Sequence, residues 1–148
     1  MFEQIAKSNN NQAIEPGHLF AALIQDNQSV VSNMISRLTT KLDVIKIKLV
    51  SLIDKYPKVS NIESDNYISN DLRKVFSSAE LEAKLLKDEY ISSEHLLLGI
   101  IETNNSVAEL LKNYDINKQE IFKSMKDIRG KHSASDKNAE DKYDALNK

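Results

Sequence analysis

The chain has no cysteine in its 148 residues. That excludes disulfides, thiolate catalysis and zinc–thiolate centres, and it fits a reducing compartment. Glycine occurs three times and proline twice, which suits helices joined by short connections. The glycines, at 17, 99 and 130, are too scattered for a phosphate-wrapping loop, and nothing matches GxxxxGK[ST]. ATP hydrolysis by this chain alone is therefore not expected. No charge of one sign dominates either. Twenty basic and 22 acidic residues leave a net charge of −2, so no global basic field favours nucleic acid or an anionic membrane. No apolar run approaches the roughly 20 residues of a membrane span. The opening MFEQIAKSNNNQ reads as neither a secretory signal nor a transit peptide. What remains is 41% apolar and 28% charged, an ordinary soluble balance in a chain long enough for one sizeable core.

What is present is a repeat. Ile14 to Ile24 reads IEPGHLFAALI, and Ile91 to Ile101 reads ISSEHLLLGII, with His18 and His95 at the same point, 77 residues apart. Ala6-Lys7 falls on Ala83-Lys84, Ser29-Val30 on Ser106-Val107, and Met34 on Leu111. Register held over roughly thirty positions marks a duplicated unit. It predicts one four-helix module used twice, with the halves packed against each other.

Within the first copy, Phe2 to about Ser8 reads as a short helix ended by Asn9 to Gln12, since asparagine tolerates left-handed backbone. About two turns is short for isolated stability. Pro16 suits a first helical turn, and Glu15 and Glu94 place negative charge near helix N-termini. Leu19, Ala22 and Leu23 are expected to form a buried stripe, repeated by Leu96, Gly99 and Ile100; Gly99 opposite Ala22 suggests a close helix crossing. Ser29 to Leu38 is the third helix. Its counterpart, Ser106 to Tyr114, opens on a capping-box pattern, Ser-Val-Ala-Glu. Leu42, Ile45, Leu49, Leu52, Ile53 and Tyr56 step as one face of a fourth helix, from about Thr40 to Tyr56, stopped by Pro57. Residues 57–69 read as the link between repeat one (1–56) and repeat two (70–129). Asn70 to about Lys87 is a long helix with Leu72, Val75, Phe76, Ala79, Ala83 and Leu86 on its core face. Leu81 and Leu85 lie roughly opposite, needing a partner or simply exposed. Asn117 to Arg129 closes the domain, with Asn117 and Glu120 as cap and partner and Ile121, Met125 and Ile128 facing the core. From Gly130 to Lys148 composition shifts to a polar linker in which only Tyr143 and Leu146 could anchor.

Candidate chemistry is thin. His18 and His95 could suggest a metal or acid–base pair, but their place in a first helical turn beside apolar neighbours favours a structural or surface role. His132 has no visible partner set. Asp88 and Glu94 flank Tyr90 to Ser92 at a helix junction. Two carboxylates can share general acid–base work, yet an exposed loop acid and a helix N-terminal acid explain them better. No nucleophile, oxyanion hole or basic–aromatic cluster accompanies them. No metal, no cofactor, no nucleic acid and no membrane are expected as partners.

The paired segments IEPGHLFAALI and ISSEHLLLGII resemble the Clp N-terminal repeat of the AAA+ unfoldases, over Phe2 to about Arg129. The pairing of IEP with ISSEHLLL is closer to the ClpB-type disaggregases than to ClpA or ClpC. AEDKYDALNK resembles the segment leading into the first ATPase module, before which the chain stops. The resemblance implies an all-α, pseudo-twofold domain of about eight helices, either an isolated N-terminal domain or a truncated gene product. It also implies a cytoplasmic, non-catalytic chaperone module that captures unfolded or aggregated protein, or an adaptor, for an ATP-driven ring. A hexamer is implied only with ATPase modules attached; alone, a monomer is expected. Matched to the family, contact residues fall on Phe76, Asp88, Glu94 and His95. Two positions apolar in the family's groove are Ser78 and Glu82 here, and most of the family's first helix has no counterpart. Leu81 and Leu85, more often polar in the family, could dock a neighbour. Three alternatives stay open: an adaptor-docking domain of a ClpC/ClpA-type proteolytic machine, an enzyme using His18, His95 or the acids, and an inactive gene fragment.

Overall fold

The structure, a computed structural model, describes residues 2–60 and 65–133, with side chains through Ile128. Eight helices appear among the described residues: α1 (Phe2–Ser8), α2 (Pro16–Ile24), α3 (Val30–Leu38), α4 (Leu42–Asp54), α5 (Asn70–Leu85), α6 (Ser93–Glu102), α7 (Ser106–Lys112) and α8 (Lys118–Ser133). The fold is all-α, and α5–α8 repeat the order of α1–α4. Pro16 and Ser93, the first residues of α2 and α6, keep the 77-residue spacing of the histidines.

Local chemistry explains most helix ends. Ser29 Oγ accepts from the Ser32 amide at 3.1 Å, and Ser69 Oγ from the Leu72 amide at 3.1 Å. The expected box at Ser106 is replaced by a cap one residue earlier. Asn105 Oδ1 accepts from the Ala108 amide at 2.9 Å while its Nδ2 donates to the Ile100 carbonyl at 2.9 Å. A side-chain amide both donates and accepts, so one residue closes α6 and opens α7. Asn117 Oδ1 accepts from the Glu120 amide at 3.0 Å and starts α8. That helix runs to Ser133, four residues into the linker expected from Gly130, because a single glycine does not stop a helix; the rest of the expected linker, residues 134–148, lies outside the described residues.

α1 and α5 end alike. Asn10 and Lys87 both take φ 58°. Around them Asn11 donates to the Ala6 carbonyl and Asp88 to the Ala83 carbonyl, each at 2.9 Å. This is a Schellman closure, which glycine usually provides. In a glycine-poor chain, asparagine and lysine take the position.

The link between halves contains an element the helical periodicity did not announce. Tyr67–Ile68 (β2) pairs in parallel with Ala13–Ile14 (β1), Ala13 opposite Tyr67 and Ile14 opposite Ile68. The Tyr67 amide donates to the Gln12 carbonyl at 3.2 Å and the Ser69 amide to the Ile14 carbonyl at 3.0 Å. Asn66 Nδ2 adds a bond to the Asn11 carbonyl at 2.8 Å. The link is therefore strapped along the loop after α1, burying Ile14.

One apolar core spans both halves, with Phe20, Met34, Ile35, Ile45, Leu72, Leu97, Leu98, Leu111 and Ile116 fully buried. Burial on α2 and α6 extends beyond the expected stripe. Phe20 and Ile24 are buried with Leu19, while Ala22 and Leu23 are half-buried; Leu97, Leu98 and Ile101 join Gly99 and Ile100, while Leu96, expected in the stripe, is half-buried. These helices are sandwiched, so more than one face turns inward. α6 meets α5 at Gly99, where an added Cβ would lie 2.4 Å from the Val75 carbonyl oxygen and 3.0 Å from the Ala79 nitrogen. The crossing is as close as the Gly99–Ala22 pairing suggested.

Candidate functional site

The two histidines are helix-capping devices. In α2 the Glu15 amide donates to His18 Nδ1 at 2.9 Å, and in α6 the Ser92 amide donates to His95 Nδ1 at 2.8 Å. A ring nitrogen that accepts from an amide carries no proton, so the proton of the neutral ring sits on Nε2. His18 Nε2 then donates to Asn11 Oδ1 at 2.9 Å, and His95 Nε2 to Asp88 Oδ2 at 2.6 Å. Asn11 and Asp88 are again 77 apart. Burial holds the His18 imidazole well below its usual range, at about 4. The Tyr56 ring lies 5.2 Å from the His18 ring, and its hydroxyl accepts from the Gly17 amide at 3.2 Å. Burial raises that hydroxyl to about 12.

Asp88 and His95 are both buried, so neither offers a free surface to a partner. Glu94, beside them, is half-buried and accepts from Ser92 Oγ at 2.8 Å. Phe76 is half-buried against the core, its ring 6.3 Å from that of Phe2 on α1. Glu82 is buried and bound to Lys118 Nζ at 2.7 Å, with Glu102 at 3.8 Å. The Glu82 hydrogen bond raises the Lys118 ammonium pKa. The polar strip at Glu82 is thus a closed lock between α5, α6 and the start of α8, not an open groove wall.

Leu81 and Leu85 are 56% and 66% exposed. The loop that follows adds Tyr90 at 77% and Ile91 at 49%. These four stand at the α5–α6 corner, and their counterparts 77 residues earlier are Gln4, Ser8, Ala13 and Ile14. Gln4 and Ser8 are exposed but polar, and Ile14 is buried. The second half therefore shows apolar surface where the first half does not.

A second apolar surface lies off the core face of α4. Val44, Ile47 and Val50 on α4 are exposed. Val50 borders a groove of about 510 Å³ with Ile5, Ala21 and Ile53. The signal was there, since these residues step by three off the core face of α4. No group of three metal-ligating side chains gathers among the described residues. No helix among them is long and apolar enough to cross a membrane.

The family model described as the Clp repeat (R) N-terminal domain matches residues 3–114. The chain belongs to the Clp repeat N-terminal domain family. Over 146 residues, 99% of the chain, it is 33% identical to the chaperone protein ClpB of Vibrio cholerae, and it spans 17% of that relative's length. Two solved structures share its fold. One is the Hsp104 N-terminal domain of Candida albicans, with a TM-score of 0.75 at 20% identity, covering 87% of this chain and 84% of that one. The other is the N-terminal domain of the caseinolytic protease associated chaperone ClpD of Arabidopsis thaliana, with a TM-score of 0.60 at 21% identity and 83% of each chain covered. The family match runs from α1 through α7, so it takes in the first copy of the helical module and most of the second, and the matched region is a non-ATPase domain.

Proposed function

We propose that this Clp repeat domain is a non-catalytic, cytoplasmic capture module that binds unfolded or aggregated polypeptide for an ATP-driven, ClpB-type disaggregase ring. The observation that carries the reading is the apolar corner of Leu81, Leu85, Tyr90 and Ile91, exposed in a family of chaperone domains. Capture without sequence demand needs exposed apolar surface and little else. Removing apolar area from water yields roughly 25 cal/mol per Å², and ordering the captured segment cancels much of that. Weak binding follows, which suits a module that must release its cargo. Several copies on a ring would raise the local concentration.

In this reading Leu81 and Leu85 touch the captured chain, Glu94 supplies charge at the edge, and Phe76 supports the corner from its half-buried seat. Asp88 and His95 act from beneath, holding the α6 N-terminus in place. The rival reading, docking of a folded adaptor in a proteolytic Clp machine, is less favoured because the extended sequence identity is to ClpB. Fluorescence anisotropy of labelled, unfolded casein separates the two. The chain should bind it weakly and without ATP, and the double variant Leu81→Ser, Leu85→Ser should bind about tenfold less. Equal binding by the variant removes these residues from the contact surface, and no binding by either protein rejects capture.

A further inference from the structure

α4 has two apolar faces. On its inner side Ile45, Leu49 and Ile53 are buried; on its outer side Ile47 is 70% and Val50 62% exposed, with Val44 beside them. α8 repeats the inner face 76 residues on, Ile45 falling on Ile121 and Leu49 on Met125. It does not repeat the outer one, where Val44 falls on Glu120, Ile47 on Lys123 and Val50 on Lys126. Exposed β-branched residues lower helix propensity and bury nothing within the single chain. The core therefore does not account for this stripe, whereas a partner would.

The surroundings of the stripe are complementary to themselves. Val50 borders the groove of about 510 Å³ whose wall includes Ile5, Ala21 and Ile53. Ile47 stands outside that groove, about one turn away along α4. Knob and hole thus share one face. Lys46 and Asp54 stand four residues before and four after Val50, on the same side of the helix. Lys46 Nζ donates to the exposed Asn27 Oδ1, and Asp54 pairs with Lys58 at 3.7 Å. Both are surface contacts that exchange at little cost. A twofold axis at Val50 that sets two α4 helices antiparallel brings each Lys46 level with the other copy's Asp54. The same axis brings each Ile47 level with Ile53 in the other copy's groove. A parallel pairing would set like charges together.

We propose that α4 is a self-association surface, through which two copies of this chain pair antiparallel with each Ile47 seated in the other's groove. The contact is small, so a dissociation constant on the order of 0.1 mM is expected. The monomer expected of the isolated domain is then the dilute state. The dimer uses no residue of the α5–α6 corner and stands independently of the capture reading.

Sedimentation velocity between about 10 μM and about 1 mM tests it. The wild-type chain should pass reversibly from monomer to dimer over that range. Ile47→Lys combined with Val50→Lys, which copies the α8 residues, should weaken association by about a hundredfold or more. Its circular dichroism should not change, because both side chains are exposed. Lys46→Asp leaves two carboxylates on the stripe and Asp54→Lys two ammonium groups, so each alone should associate about tenfold more weakly. Mixed in equal amounts, these two variants should recover the wild-type dimer, since opposite charges face each other again at both ends. A wild-type chain that is monomeric up to about 1 mM would overturn the proposal and leave the stripe to a foreign partner. So would a dimer indifferent to the paired lysine substitutions, or a mixture of the two charge variants that associates no better than either alone.

Discussion

Asn11 and Asp88 hold the same place in the two halves, and each receives the Nε2 proton of a buried histidine. One pair is amide and imidazole; the other sets a carboxylate against the same ring. The capping geometry is common to both, with Nδ1 accepting from the amide three residues back. The cap therefore needs only an acceptor opposite Nε2, and charge is an addition of the second half. A second contrast lies in the helix ahead of the pair. α5 spans 16 residues and α1 spans 7. Leu98, Gly99 and Ile100 are buried beneath the longer helix, whereas Ala21, Ala22 and Leu23 stay half-buried beneath the shorter one. The second half is the tighter and more charged copy, and the corner with its exposed leucines belongs to it.

The largest effect should come from removing the imidazoles. His95→Ala strips a buried carboxylate of a principal partner, a loss expected at about 3–5 kcal/mol. His18→Ala leaves a neutral amide behind and should cost about 1–3 kcal/mol. Urea unfolding of both variants gives the comparison, and equal losses would mean that the charge of Asp88 does not matter. Next is pH. His18 stays neutral in the folded chain down to about 4, while the unfolded chain takes up its proton below about 6.5. Its contribution is complete above 6.5 and falls as pH drops toward 4, by as much as about 3 kcal/mol. Replacing His18 with glutamine should flatten that part of the stability–pH curve. A smaller difference is expected at the helix crossings. Gly99→Ala drives a methyl toward the Val75 carbonyl and should cost about 2 kcal/mol. Ala22→Gly, at the looser equivalent crossing, should cost about 1 kcal/mol through helix propensity alone. Thermal melts order the two, and an equal or reversed order would mean that both crossings are alike.

Much of the fold could be read from residues because its determinants are local or repeated. The 77-residue register located both histidines, and helical periodicity placed the core faces of α4 and α5. Features set by distant partners could not be read this way. Glu82 looks like a solvated acid until Lys118, 36 residues on, closes over it. β2 is two residues long and exists because Asn10, Gln12 and Ile14 offer carbonyls to the returning link. The burial of Asp88 has a counterpart in the repeat: Asn11, at the same repeat position, is a buried polar residue too. For the candidate site, the exposed pair Leu81 and Leu85 was visible as an off-face stripe. Tyr90 and Ile91 were not, because their exposure depends on the absence of a covering strand among the described residues rather than on their own pattern.

The central claim is that capture belongs to the second half's α5–α6 corner. Chemical-shift mapping of the labelled chain with unfolded casein tests it directly. The account predicts shifts at Leu81, Leu85, Tyr90, Ile91 and Glu94, with Gln4, Ser8 and the exposed α4 residues Ile47 and Val50 unmoved. Shifts centred on Ile47 and Val50, or no shifts at all, would contradict it.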